Sequence, residues 1–152
     1  EDTKGWIEEK YRVFLDIVQN GGVKMFDGAI QAIKHARLTS KTAVVTSSAR
    51  PLFDAIATSC GWDGLFDVVI TGSDIKKGKP DPEPYLLACE RLLIEPHEAW
   101  VIEDSENGVR SGLAAGAGVI AITNTFSREK LSALHPDAIV DTLSELSFGS
   151  EG

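Results

Sequence analysis

Residues 101–123 read VIEDSENGVRSGLAAGAGVIAIT, and their reading decides the fold. An apolar run, 99–103 (AWVIE), ends in two acids. Ser105 follows, a residue type that caps a helix over 107–115, and Gly116 suits the stop of that helix. A second apolar run, 118–123, begins at once. Neither run alternates polar with apolar residues, which is the pattern of strands buried on both faces of a parallel sheet. A strand, a crossover helix and a parallel strand form one βαβ unit.

The same rhythm extends outward. Strands are predicted at 42–47 (TAVVTS), 67–71 (DVVIT) and 138–140 (AIV). Between them, Asp27 can cap a helix with the stripe Ala29, Ile30, Ile33 and Ala36. Pro51 suits a first helical position, ahead of Leu52, Ile56 and Cys60, with Gly61 as the stop. Pro82 and Pro84 open a helix through Tyr85, Leu86, Cys89 and Leu93. This alternation predicts an α/β fold, a Rossmann-like three-layer sandwich with a mostly parallel sheet. Residues 1–20 stand outside the scheme. There Ile7, Tyr11, Phe14, Leu15 and Val18 recur at helical spacing, the mark of an amphipathic helix appended to a core of residues 21–152.

Bulk properties narrow the function. A chain of 152 residues is long enough for one domain with a sizeable core. Its formal net charge of −8 argues against nucleic acid or an anionic membrane as partner, since both demand a basic face. No apolar run approaches the roughly 18 residues of a membrane span. Cys60 and Cys89 show no metal-ligand spacing and read as reduced thiols of a cytoplasmic protein. His35, His97 and His135 are isolated from one another and from other ligand types.

In open parallel sheets, ligands bind beyond the carboxyl ends of the strands. Thr46 and the pair Glu103–Asp104 sit at two such ends, and the loop 76–81 (KKGKPD) lies between them in sequence. A hydroxyl followed by main-chain N–H groups, a fixed cation and two carboxylates are what a transferring phosphoryl group and its metal require. Each feature alone has a plainer reading. Thr46 could form a turn, Lys79 could be a solvated charge, and Glu103–Asp104–Ser105 could merely start a helix. Their joint order points to chemistry.

TAVVTSSAR (42–50), GKPDPEPYLLA (78–88) and VIEDSENGVRSGLAAGAGVIAIT (101–123) together resemble motifs II, III and IV of the haloacid dehalogenase superfamily. The match is nearest to its β-phosphoglucomutase-like phosphatase branch. LFDVVITGSDIKKGKPDPEPY (65–85) and HPDAIVDTLSEL (135–146) extend the likeness over about residues 20 to 147. The resemblance implies hydrolysis or mutase transfer of a small phosphorylated metabolite, with Mg²⁺ as cofactor. It casts Thr46 and the N–H of Ser47 as phosphoryl donors and Lys79 as the neutralising cation. Asp104 would ligate the metal, with Glu103 beside it directly or through water. It places Ser48 and Arg50 against substrate, and Asn107 as a residue orienting the acidic loop.

One part of the pattern is absent. The family reaction runs through an aspartyl-phosphate on the first Asp of an Asp-x-Asp motif, and no Asp-x-Asp occurs in these 152 residues. The reading therefore places the first strand and most of the cap ahead of Glu1, with residues 1–20 as the remnant of a cap helix. Two alternatives stay open. In VFLDIV (13–18), Asp16 could serve as nucleophile, or the chain could be a noncatalytic phosphate- or metal-binding partner subunit. By resemblance, the absent strand would lie between 42–47 and 99–103. An unpaired slot is thus expected there, filled by another chain through self-association or by residues 11–18 rearranged.

Overall fold

A computed structural model of the chain describes residues 3–23 and 25–147. Helix α1 spans Thr3–Gln19, α2 Ala29–Ala36, α3 Arg50–Cys60, α4 Glu83–Leu92, α5 Glu106–Ala115 and α6 Arg128–Ser132. The strands are β1 Ala43–Val45, β2 Val68–Ile70, β3 Trp100–Glu103, β4 Gly118–Ile122 and β5 Ala138–Val140. Every ladder is parallel, as the apolar runs predict.

The helix boundaries follow local chemistry. The Ser105 hydroxyl accepts from Gly108 N at the start of α5, and Gly116 ends that helix at φ 81. Gly61 ends α3 in the same left-handed conformation at φ 68. At α2 the expected cap is displaced by one residue. Gly28, not Asp27, occupies the cap position, at φ 80, a conformation that glycine adopts without steric cost.

Residues 11–18 are helical throughout, so they do not fill the predicted slot, and Asp16 lies exposed on α1, accepting from the Asn20 amide at 3.2 Å. The helix packs on α3, buries Val18, and takes a hydrogen bond from the Ser59 hydroxyl to Val18 O at 3.2 Å. The side chain of Ile7, part of the expected stripe, lies outside the described residues.

The five strands form two sheets, β1–β2 and β3–β4–β5. β1 is paired with β2 alone, and β3 with β4 alone, so 42–47 and 99–103 do not pair with each other. Their carboxyl ends nonetheless meet, because Lys79 contacts both Val45 O and the Glu103 carboxylate. The ladders fix which main-chain groups face the slot. Thr46 N donates to Ile70 O at 2.9 Å and Gly118 N to Ala99 O at 3.0 Å. In a parallel strand alternate residues turn N–H and C=O to opposite sides. Ala43 and Val45 on one wall, and Trp100 and Ile102 on the other, therefore aim theirs into the slot.

The main core lies on the β3–β4 side. Val101, Val109, Val119, Ala121 and Leu131 are buried there together with Tyr85 of α4. α5 covers β3 and β4, while α4 packs against β1, β2 and α5, so α4 joins the two halves.

Candidate phosphoryl and metal site at the mouth of the slot

The slot is a cavity of about 970 Å³. α2 lines it with Ala29 and Ile33, and the strands with Val44, Val45 and Ile102. Its mouth carries Thr46, Ser47, Lys79, Glu103, Asp104 and Asn107. An apolar trough with charged and hydroxyl groups gathered at one end is the expected form of a site beyond strand carboxyl ends.

Thr46 directly follows β1, and its hydroxyl accepts from Ser48 N at 3.1 Å, which ties the turn 46–48 together. Ser48 O accepts from Gly72 N at 2.8 Å in the loop after β2. A side chain at Gly72 would press on Ser47 O, 2.5 Å from a built Cβ, so the two loops meet main chain to main chain. Ser47 is exposed at the mouth, while Ser48 is half-buried behind it.

Lys79 crosses the mouth. Its ammonium donates to Val45 O at 3.1 Å, pairs with Glu103 Oε1, and stands 5.1 Å from the centre of the Tyr85 ring. The lysine side chain is 12% exposed and that of Glu103 8%, so this ion pair is largely shielded from solvent. Glu103 has protein donors on both oxygens. Tyr85 OH donates to Oε1 at 2.6 Å. Oε2 accepts from the Ser105 hydroxyl at 3.1 Å and the Asp104 N–H at 3.2 Å. Burial pushes this carboxyl up, but the Lys79 charge and the hydrogen bonds from Lys79, Tyr85 and Ser105 outweigh it and hold it below its ordinary value. Burial, and then the Glu103 charge, push the Tyr85 phenol well above its usual range, so it stays a proton donor.

Asp104 is half-buried, and its Oδ2 accepts from Thr125 OH at 2.6 Å, while no donor among the described residues is recorded at Oδ1. Among the described residues no group of three or more His, Cys, Asp or Glu is set to hold a metal. The donor set nonetheless fits Mg²⁺, which commonly takes one or two carboxylates and completes its shell with waters and substrate phosphate.

The structure thus brings Thr46, Ser47, Lys79, Glu103, Asp104 and Asn107 to one mouth. Arg50 goes elsewhere. Its guanidinium donates to Asp74 at 3.0 Å and to Val69 O at 3.1 Å, and it lines a separate cavity of about 280 Å³. Sequence reasoning passed over Tyr85 and Thr125. A tyrosine in an otherwise aliphatic stripe, six residues after Lys79, was the available signal for the first. Nothing local marked the second.

The chain is similar to known phosphatases and to solved structures of like fold. A phosphorylated carbohydrates phosphatase of Thermotoga maritima is 35% identical over 150 residues, covering 91% of this chain and 66% of its own length. CbbY of Rhodobacter sphaeroides, solved in complex with phosphate, superposes with a TM-score of 0.82 at 29% identity, over 91% of this chain and 63% of that one. A β-phosphoglucomutase-type structure from Thermotoga maritima gives 0.77 at 30% identity, over 91% and 62%. The chain spans 56 to 66% of the length of three curated phosphatase relatives. A family model for haloacid dehalogenase-like hydrolases matches residues 3–116, and the chain belongs to that family.

Proposed function

We propose that this chain carries the phosphate- and metal-binding half of a Mg²⁺-dependent phosphohydrolase acting on a small phosphomonoester through an aspartyl-phosphate. The observation that carries this reading is the convergence of Thr46, Lys79 and Asp104 at the mouth of the β1–β3 slot. Thr46 and the Ser47 N–H donate to the phosphoryl oxygens, and Lys79 offsets their charge in a shielded site where that interaction is strong. Asp104 would hold Mg²⁺, which would supply charge stabilisation to the phosphoryl group. Ser48 shapes the phosphate turn, and Asn107 borders the metal side.

The nucleophile in this reading is a carboxylate on a strand seated in the slot. No Asp-x-Asp occurs in the sequence, and two same-direction strand edges face a trough of about 970 Å³. The second reading, a phosphate-binding partner subunit without turnover, draws on the same missing motif.

Hydrolysis of an aryl phosphate by this chain, with and without Mg²⁺, tests the proposal. No turnover together with Mg²⁺-dependent phosphate binding is the expected result. Mg²⁺-dependent turnover by these residues alone would contradict it and put the nucleophile within the chain. In a version that does turn over, Asp104→Asn lowers kcat/KM by more than about tenfold; a smaller loss contradicts the metal assignment.

A further inference from the structure

A lysine ammonium on four methylenes is a poor electrostatic anchor unless something fixes it, because the side chain has many rotamers to lose. Lys79 is fixed by three neighbours: Val45 O, the Glu103 carboxylate and the Tyr85 ring. Two of these depend on Tyr85. Its ring lies beneath the ammonium, and its hydroxyl donates to the same Glu103 oxygen that meets Lys79. Ser105 and the Asp104 N–H hold the other oxygen. Gly108 has no side chain to intrude, since a Cβ there would occupy the space of the Glu103 carboxylate.

We propose that Tyr85 is a positioning residue for Lys79, acting through Glu103. The inference rests on the proposed role of Lys79 as the phosphoryl cation for its functional meaning, but its geometry stands without it. With both oxygens of Glu103 engaged by protein donors, the carboxylate is locked about its terminal torsion, and the ammonium has one place to sit. A phenylalanine would fill the same volume in the α4–β3 core. Only the hydroxyl is specific to Glu103.

The test is Tyr85→Phe in the full 152-residue chain, which keeps the ring and removes the hydroxyl. The first readout is the NMR signal of the Lys79 ammonium, assigned by its loss in Lys79→Met. In the parent chain the signal is protected. In Tyr85→Phe its hydrogen exchange quickens by about fivefold, the weight of one hydrogen bond. The second readout is binding of inorganic phosphate, whose dissociation constant rises by about the same factor, while that for Mg²⁺ is unchanged. A Lys79 signal identical in the two proteins overturns the proposal, whatever phosphate does. Absence of phosphate binding in the parent chain overturns the phosphoryl reading alone, and the ammonium signal still decides on Tyr85. Glu103→Gln is the second variant, should Tyr85→Phe fail to fold. It is expected to release Lys79, and an undisturbed Lys79 overturns the proposal.

Discussion

The two halves of the molecule are built to different standards. On the β3–β4–β5 side, Val101, Val109, Val119 and Ala121 close a continuous core beneath α5. On the β1–β2 side, each strand is three residues long, and Ile70 is the one buried residue of the pair. The face of β3 away from α5 is also open, with Trp100 64% and Ile102 38% exposed. The contrast follows from where the slot runs. The slot leaves each wall strand with one partner, but the β1–β2 half has two strands against three, and it is held to the other half by α4 and by the Lys79–Glu103 pair at the strand ends. A functional mouth thus lies at the seam between a well-packed unit and a less-packed one.

Core truncation offers the sharpest way to break this comparison. Val119→Ala on the packed side should cost about 3 kcal/mol, and Val44→Ala on the slot wall less than about 1, read as shifts in urea midpoint at constant slope. Equal losses would show that the halves do not differ. Gly108→Ala comes next, at about 2 kcal/mol, because the new methyl competes with a Glu103 carboxylate that its donors hold in place.

Asp74→Asn probes what secures the less-packed half. Asp74 accepts from the Thr71 hydroxyl at 2.7 Å and the Thr71 N–H at 2.8 Å, and it pairs with Arg50 and Arg91. Thr71's bonds first, and the two arginines after them, hold its carboxyl far below the ordinary value. A carboxylate with a depressed folded-state value contributes stability above its unfolded value and loses it as pH falls. The substitution should therefore cost about 1.5 kcal/mol at neutral pH, and the gap should narrow below about pH 4. A gap independent of pH would contradict the network. Thr125→Val is the mildest change, at about 0.5 kcal/mol in stability. It should raise the Mg²⁺ dissociation constant by about tenfold, since Asp104 loses the hydroxyl that orients it.

The strands, their parallel pairing and the meeting of Thr46, Lys79 and Asp104 were legible in the sequence, because buried parallel strands and helix stops leave local marks. What escaped were contacts between residues distant in sequence. Thr125 reaches Asp104 across 21 positions, and Arg50 turns to Asp74 across 24. The Tyr85 hydroxyl was hidden because its ring satisfied the apolar stripe of α4, and nothing in that stripe says that Glu103 lies above it. The cap of α2 was misplaced by one residue because a carboxylate and a left-handed glycine, adjacent at 27 and 28, are both helix-start signals.

The most direct test of the central claim is an NMR titration of the ¹⁵N-labelled chain with inorganic phosphate, with and without Mg²⁺. The account predicts Mg²⁺-enhanced shifts at the amides of Ser47, Ser48, Lys79 and Asp104 to Asn107, with Asp54 and Asp63 of the smaller cavity unmoved. No shifts at the mouth of the slot, or shifts confined to that smaller cavity, would contradict it.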